Sequence, residues 1–337
     1  MTIRVGVLGA GWVANERHLP GYRADKRAEV VAVFDRNAER AVKTAEAFGV
    51  GVGTDDLVSF FDQRPDVVSV CSSPFSHAEL TIEALSRGCH VLTEKPMAMN
   101  SAEALLMADR AREADRILCV SHNFLFSRAV RQADAALHKA GPIQYSIGLQ
   151  LSSDRRRLPV WRDELPGGLF FDEVPHLLYL LQHYLGALEL DTVRVRRRSE
   201  RGHPILTEIQ VSGERGPGQM TVMSGAPLAE WHVTVIGQTG VVDIDLFRDI
   251  AVRLGSDRSH RPIDVLRTST RAIAEHIRGF VSSGMRLTTG RLLWGHGVLI
   301  RRFLDATTGQ GPPPVDLEDS LRIVALTDDI LAALEEG

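Results

Sequence analysis

The run Gly9-Ala10-Gly11-Trp12-Val13-Ala14 constrains this chain more than any other stretch. It follows Ile3–Leu8, which reads as a strand, and opens a helical pattern from Trp12 that breaks near Pro20-Gly21. A GxGxxA turn between strand and helix has a mechanical meaning. The first glycine permits the tight turn. The second lets backbone N–H groups approach a pyrophosphate, and the third small residue lets the helix pack on the strand. The helix N-terminus adds partial positive charge for the phosphates. Alone the motif is weak; here it sits in the first βα turn, with Asp35 ending a second strand, Glu29–Phe34. Asp35 is placed to hydrogen-bond the ribose hydroxyls of a dinucleotide, which favours NAD over NADP. Arg36 beside it suits a 2′-phosphate, so NADP stays open. The plain alternative is a glycine-rich turn with a capping aspartate.

The pattern downstream supports parallel βαβ units. A helix over Ala38–Phe48 precedes a third strand, Val67–Cys71. Ser76-His77-Ala78-Glu79 reads as a capping box opening a helix to Ser86. Strand Val91–Thr93, helix Asn100–Ala114 and strand Ile117–Val120 follow. Then the rhythm changes. A helix over Ser127–Lys139 and a strand over Ile143–Ser152 lead to an Arg/Pro-rich loop from Asp154 to Gly168. Leu169–Tyr184 is apolar at helical spacing. Strands then dominate without intervening helices: Thr192–Arg198, Ile205–Ser212, Gln219–Met223, His232–Ile236, Val241–Leu246 and Ile250–Leu254. Helices Asp264–Val281, Arg291–Thr307 and Leu317–Leu334 close the chain. The fold class predicted is α/β: an N-terminal Rossmann doubly wound parallel sheet over residues 1–122, and a C-terminal α+β domain with an open, mostly antiparallel sheet over 123–337.

Charge and cysteine usage narrow the partners. A net charge of −4 gives no global attraction to nucleic acid or anionic membrane. No run of apolar residues is long enough to span a bilayer, and the N-terminus enters a strand directly, so no signal peptide is expected. Cys71, Cys89 and Cys119 form neither a CxxC pair nor a metal spacing. They read as buried thiols of a cytoplasmic protein without a metal. Six alternating strands without covering helices need something against the open face, so a homodimer or homotetramer is expected.

Chemistry that needs an amine has few candidates, because Lys26, Lys43, Lys95 and Lys139 are the only lysines. Lys95 lies in Thr93-Glu94-Lys95-Pro96, just past a strand of the parallel sheet, where doubly wound folds place their sites. Its amine can bond a substrate oxygen, or it can be a surface lysine before a turn. The second cluster is Gly167-Gly168 followed by Asp172 and His176. If helical, Asp172 and His176 share a face, and a carboxylate can orient a histidine that exchanges protons near neutrality. The alternative is a capping aspartate and a core histidine; Pro175 complicates the helix. Arg155-Arg156-Arg157 with Trp161 and Arg162 suits either an anion or a solvated loop. His122 and Asn123 end a strand and either line the site or pack. Arg196-Arg197-Arg198 alternates along a strand and reads as a solvent or subunit contact.

These motifs together resemble the glucose–fructose oxidoreductase, inositol dehydrogenase and MocA-like (Gfo/Idh/MocA) family. The matching features are GAGWVA at 9–14, Asp35, EKP at 94–96, the glycine pair, Asp172 with His176, and the ending VDLEDSLRIVALTDDIL at 315–331. The resemblance implies a catalytic group of Lys95, Asp172 and His176, in which His176 exchanges the proton, Lys95 polarises the reacting oxygen, and Asp172 orients the histidine or a neighbouring hydroxyl. The cofactor contacts expected are Gly9, Gly11, Trp12, Val13, Asp35, Arg36, Ser72, Pro74, His77, Glu94 and Lys95. Those expected for substrate are Asn123, Arg157, Trp161, Asp172 and His176. Two departures bear on the substrate: Leu125-Phe126-Ser127-Arg128 replaces an RFxP-like segment, and Glu173-Val174-Pro175 stands where relatives often carry glycine. The activity implied is hydride transfer between nicotinamide and a secondary alcohol or ketone carbon of a sugar, sugar derivative or cyclitol. An NAD-dependent glycoside hydrolase, an imine reductase and a non-catalytic dinucleotide sensor are the alternatives.

Overall fold

The computed structural model describes residues 2–155, 160–255, 261–290 and 292–336, the side chain of residue 336 excepted. The chain forms two compact units. One holds residues up to Asn123 together with His296–Ala325; the other holds Phe124–Gly295 and the segment from Leu326 on. The sequence division placed everything after 122 in the second domain, whereas His296–Ala325 returns to the first unit.

Among the described residues the first unit has a six-stranded parallel sheet, ordered β3-β2-β1-β4-β5-β6. Its strands are β1 (Ile3–Leu8), β2 (Ala28–Phe34), β3 (Val52–Thr54), β4 (Val67–Val70), β5 (His90–Thr93) and β6 (Leu118–Val120). This is the Rossmann order, with the strand reversal beside β1. Val5, Val7, Leu8, Val67, Val68, Val70 and Val91 are buried, the near-continuous apolar runs that a sheet covered on both faces requires. The helices are α1 (Leu19–Arg23), α2 (Ala38–Phe48), α3 (Leu57–Phe61), α4 (His77–Ser86) and α5 (Ser101–Glu113). Two local readings change. The helical path continues through Pro20-Gly21, because a π turn over Ala14–His18 precedes it and Pro20 falls in the first turn of α1, where its missing N–H is harmless. The Ser76 hydroxyl bonds the Ser72 hydroxyl and the Ser73 carbonyl rather than capping α4, since a 3₁₀ turn, Pro74–Ser76, already leads into that helix.

The returning segment carries α9 (His296–Thr307) and the start of α10 (Leu317–Glu336). Leu299, Ile300, Phe303 and Leu304 of α9 are buried. A Cβ on Gly21 would lie 2.5 Å from Ile300, so glycine is what lets α1 and α9 meet closely. Helix α9 begins at His296 rather than near residue 291, because Trp294 and Gly295 take positive φ while the Trp294 indole donates to the Phe247 carbonyl. Arg291 lies outside the described residues.

Among the described residues the second unit has a seven-stranded sheet, ordered β13-β12-β11-β7-β10-β9-β8. These strands are β7 (Ile143–Ser152), β8 (Leu188–Arg198), β9 (Pro204–Gly213), β10 (Gly216–Ser224), β11 (Glu230–Gly237), β12 (Gly240–Asp245) and β13 (Ile250–Gly255). Every pairing is antiparallel except β7 with β10. β10 and β11 run oppositely and flank β7, so one of them must lie parallel to it. Helix α6 (Arg128–Leu137) precedes β7. Helix α7 (Leu169–Leu185) covers one face of the sheet and is buried except at Asp172 and His183, so the strands are not bare on both sides. Helix α8 (Pro262–Thr288) lies along β13.

Candidate functional site

The first unit builds a cradle from backbone demands. Gly9 has φ +103°, and a Cβ there would sit 2.7 Å from the Cys71 carbonyl carbon and the Ser72 nitrogen. Glycine is therefore compulsory for the turn after β1 to pass the loop after β4. Gly11 differs: a Cβ there meets nothing nearer than the Cys71 oxygen at 3.9 Å. Internal packing does not demand glycine at 11, whereas a pyrophosphate approaching the backbone does. Ala14 is fully buried, and Trp12 and Val13 begin the helical turn above it. Asp35 ends β2. Its two oxygens accept the Ala10 and Asn37 N–H groups, at 2.9 Å each. Each ionised oxygen keeps further lone pairs, so the residues fit a dinucleotide ribose. Arg40 lies 3.5 Å from Asp35, and Arg36 is exposed.

At the ends of β4 and β5 the polar groups interlock. Glu94 is buried; its Oε1 lies 2.7 Å from His18 Nε2 and 3.5 Å from His296 Nε2. Burial alone would raise its pKa, but hydrogen bonds from the two histidines outweigh that and hold the carboxyl well below the usual range. An ionised carboxylate only accepts, so His18 Nε2 carries the proton. In the neutral ring, Nδ1 then accepts from Ser69 Oγ at 3.1 Å, and Ser69 accepts from the Tyr22 hydroxyl at 2.7 Å. The three donor atoms of His18, Glu94 and His296 lie within 4.8 Å of one another, but 2.7 Å between the first two is hydrogen-bond spacing. His77, expected at the cofactor, turns Nδ1 to the Pro96 carbonyl and Nε2 to the Ser72 carbonyl, at 2.7 and 3.2 Å. It braces the loop bearing Ser72 and Pro74 against the one bearing Lys95. Burial lowers the His77 pKa. It pushes His122, at the end of β6, down to about 3 against the pull of Glu94. Lys95 is half-buried in the turn after β5, and Asn123 is buried just beyond His122.

The second unit holds the other candidates. Asp172 and His176 both lie on α7, one turn apart, with Pro175 inside the helix. Asp172 is half-buried and His176 is buried. Phe124, Tyr179 and Trp231 surround the His176 ring, with centroids 5.1, 5.6 and 5.1 Å away. Its Nδ1 bonds the Tyr179 hydroxyl at 2.9 Å, and that oxygen also accepts the Phe124 N–H at 3.2 Å. With Nδ1 donating to Tyr179, Nε2 is the basic atom; with the hydroxyl donating, Nε2 carries the proton. Glu173, one position past Asp172, points the other way and accepts from Gln150 at 3.0 Å and from Ser152. Trp161 is half-buried before a short turn, Arg162–Glu164. Arg155 is exposed, Arg162 lies 3.4 Å from Asp163, and Arg157 lies outside the described residues.

Sequence reasoning missed Tyr179, Trp231 and Phe124 around His176, and His18 and His296 around Glu94. Tyr179 was within reach, standing three residues past His176 on one helix. Nothing local marks His296, about 200 positions from Glu94 in the chain.

Residues 3–122 match the model of an oxidoreductase family with an NAD-binding Rossmann fold. These residues make up most of the first unit, which is thereby similar to the Gfo/Idh/MocA oxidoreductases. Over 190 residues it is 38% identical to D-glucoside 3-dehydrogenase of Escherichia coli, covering 55% of this chain and 54% of that protein. It is 33% identical over 211 residues to dTDP-3,4-didehydro-2,6-dideoxy-alpha-D-glucose 3-reductase of Streptomyces violaceoruber, 57% of this chain and 59% of that one. The matched region thus spans little more than half the length of these relatives. Among solved structures, the WlbA dehydrogenase from Bordetella pertussis, in complex with NADH and UDP-GlcNAcA, superposes with a TM-score of 0.81 at 20% identity. That match covers 100% of this chain and 96% of the other.

Proposed function

We propose that the protein is an NAD-dependent oxidoreductase acting on a secondary alcohol of a sugar, sugar derivative or cyclitol. The carrying observation is a pairing: an NAD-binding unit with a glycine cradle, and a second unit presenting a histidine with Nδ1 held by a tyrosine hydroxyl. NAD, when bound, supplies the hydride acceptor. The Gly9–Ala14 turn holds its phosphates, Asp35 its adenosine ribose, and the loops bearing Ser72, Pro74 and Lys95 the remainder. His176 takes the hydroxyl proton at Nε2, with Nδ1–H donated to Tyr179. Lys95 stabilises negative charge on the substrate oxygen as that proton leaves. Asp172 orients the reacting hydroxyl; Asn123, Arg157 and Trp161 are assigned to substrate. The relatives' names support position 3 of a hexose as the carbon oxidised, since the Escherichia coli and Streptomyces proteins both act there.

The test is NAD reduction with a panel of glucosides, nucleotide sugars and cyclitols. Lys95→Ala and His176→Ala should each lose at least ~100-fold in turnover and keep NAD binding. Serving one oxygen in one step, the two losses should not add. Wild-type turnover in both variants on a verified substrate overturns the reading.

The assembly proposed is a homodimer or homotetramer paired through the open face of the second sheet, in the cytoplasm. β7 supports the pairing. Ser146, Gly148, Gln150 and Ser152 are buried on the α7 side, while Tyr145, Ile147, Leu149 and Leu151 stay half-exposed. An apolar row facing outward is the signature of a covered face. Three buried, free cysteines support a reducing compartment. Among the described residues no helix is long and apolar enough to cross a membrane.

A further inference from the structure

We propose that helix α8 is a second self-association surface, pairing with α8 of another copy of this chain along a heptad seam. Positions 263, 266, 270, 273, 277, 280, 284 and 287 alternate three and four apart and read Ile, Leu, Thr, Ile, Ile, Phe, Gly, Leu. A sustained 3.5-residue apolar period is the pattern of helices that pair by knobs into holes, and β-branched residues at one seam position with leucine at the other favour two strands. Here Ile263, Thr270 and Ile277 occupy the first position, and Leu266, Ile273, Phe280 and Leu287 the second.

Most of the seam is uncovered, with Ile273 and Ile277 bordering an open hollow beside Val252 of β13. Its six large side chains are 56% to 64% exposed. The opposite stripe is the one anchored on the chain itself. Gly279 and Ser283 are buried, and a Cβ on Gly279 would lie 2.7 Å from Ile250. Arg128 donates to the Gly279 carbonyl, the Ser283 hydroxyl and the Asp249 carbonyl. The Glu275 carboxylate accepts the Arg253 N–H of β13. Helix α8 is thus fastened by one stripe and uncovered on the other, so pairing does not first have to order it.

The area suits a second copy. Six half-exposed side chains of this size present roughly 700 Å², above the few hundred a monomer commonly leaves open and near the ~800 Å² per partner of a standard interface. A patch that meets its own copy closes as a two-fold contact. It is separate from the sheet face proposed above, and the two contacts together would give a tetramer with dihedral symmetry.

The experiment is light scattering after gel filtration at micromolar concentration, with NAD binding as the check on folding. Ile277→Glu with Phe280→Glu should halve the wild-type mass and leave NAD affinity unchanged, since both side chains are exposed. Single cysteines at 266, 273, 277 and 280 should include at least one that cross-links two chains on oxidation; the native thiols are all buried. A monomeric wild type, or an unchanged mass in the double variant, overturns the pairing. Leu149→Arg on the sheet separates the two contacts. If it halves the mass while the α8 variant does not, the sheet reading stands and the α8 proposal falls; the reverse result retains α8 alone. Sedimentation of the wild type with phosphatidylserine vesicles, abolished by Ile277→Glu with Phe280→Glu at unchanged mass, would assign the seam to a lipid surface instead.

Discussion

Glu94 in the first unit and His176 in the second are both buried ionisable side chains, in opposite surroundings. Glu94 ends a polar chain through His18, Ser69 and Tyr22, with His296 closing on the same oxygen. His176 sits among three aromatic rings with the Tyr179 hydroxyl on Nδ1. A carboxylate surrounded by donors is locked in one charge state. An imidazole has two nitrogens, and with Tyr179 on Nδ1 the tautomer decides whether Nε2 offers a lone pair or a proton. A carboxylate held in one charge state by its donors thus stands against a ring whose second nitrogen can play either hydrogen-bonding role.

The largest effect should come from the cofactor cradle. Gly11→Val should cost at least ~100-fold in NAD affinity, about 2.7 kcal/mol, with little change in melting temperature. Gly9→Ala should lower stability itself by about 3 kcal/mol, from left-handed strain and overlap with the Cys71–Ser72 backbone. Calorimetric titration and thermal melts of both variants check this. Equal effects on binding and melting would mean that Gly11, too, is needed only for packing.

Next are the two buried groups. Tyr179→Phe keeps the ring packing but removes the Nδ1 partner, so turnover should fall roughly tenfold and the pH midpoint for alcohol oxidation should move. Glu94→Gln keeps an acceptor at the Oε1 position but removes the charge that both histidines approach; it should lower stability by about 1–3 kcal/mol and leave that midpoint in place. A midpoint moved by Glu94→Gln and not by Tyr179→Phe would invert the comparison.

Asp35→Asn keeps the acceptor for the Ala10 N–H and removes the charge. The preference for NAD over NADP should shrink about tenfold, or ~1.4 kcal/mol, read by titrating both cofactors. Pre-existing preference for NADP would give Arg36 the leading role.

Stability against pH should run in opposite directions in the two units. Folded His122 titrates at about 3, whereas the unfolded side chain titrates near ~6.5. Acid protonates the unfolded chain first, so stability falls as pH drops from about 6.5 toward 3. His122→Asn should flatten that slope in denaturant titrations. His232 is raised to about 9, chiefly by its hydrogen bond to Asp243. Its contribution is complete below about 6.5 and is lost as pH rises through 9. That pair is partly exposed, so solvent screening keeps the effect small; His232→Gln should remove it.

Much of the first unit was legible because its signals are local. The Gly9–Ala14 turn, Asp35 at a strand end and the strand–helix rhythm each lie within a few residues. β3 and α3 were not seen, being three and five residues long, too short to show a period. In the second unit the strands were legible from alternation, but alternation alone does not say which face is inward. β7 buries its small and polar side, which the sequence pattern could not reveal.

The sequence by itself determined the cradle, the place of Lys95 after a parallel strand, and the one-turn spacing of Asp172 and His176. Backbone conformation and helical period are set by neighbouring residues, so they can be read along the chain. Only the tertiary structure decided that His296 returns to Glu94, that Phe124 and Trp231 enclose His176, and that α8 keeps an apolar seam in solvent. Those partners come from segments tens to hundreds of residues apart, and packing rather than local preference brings them together.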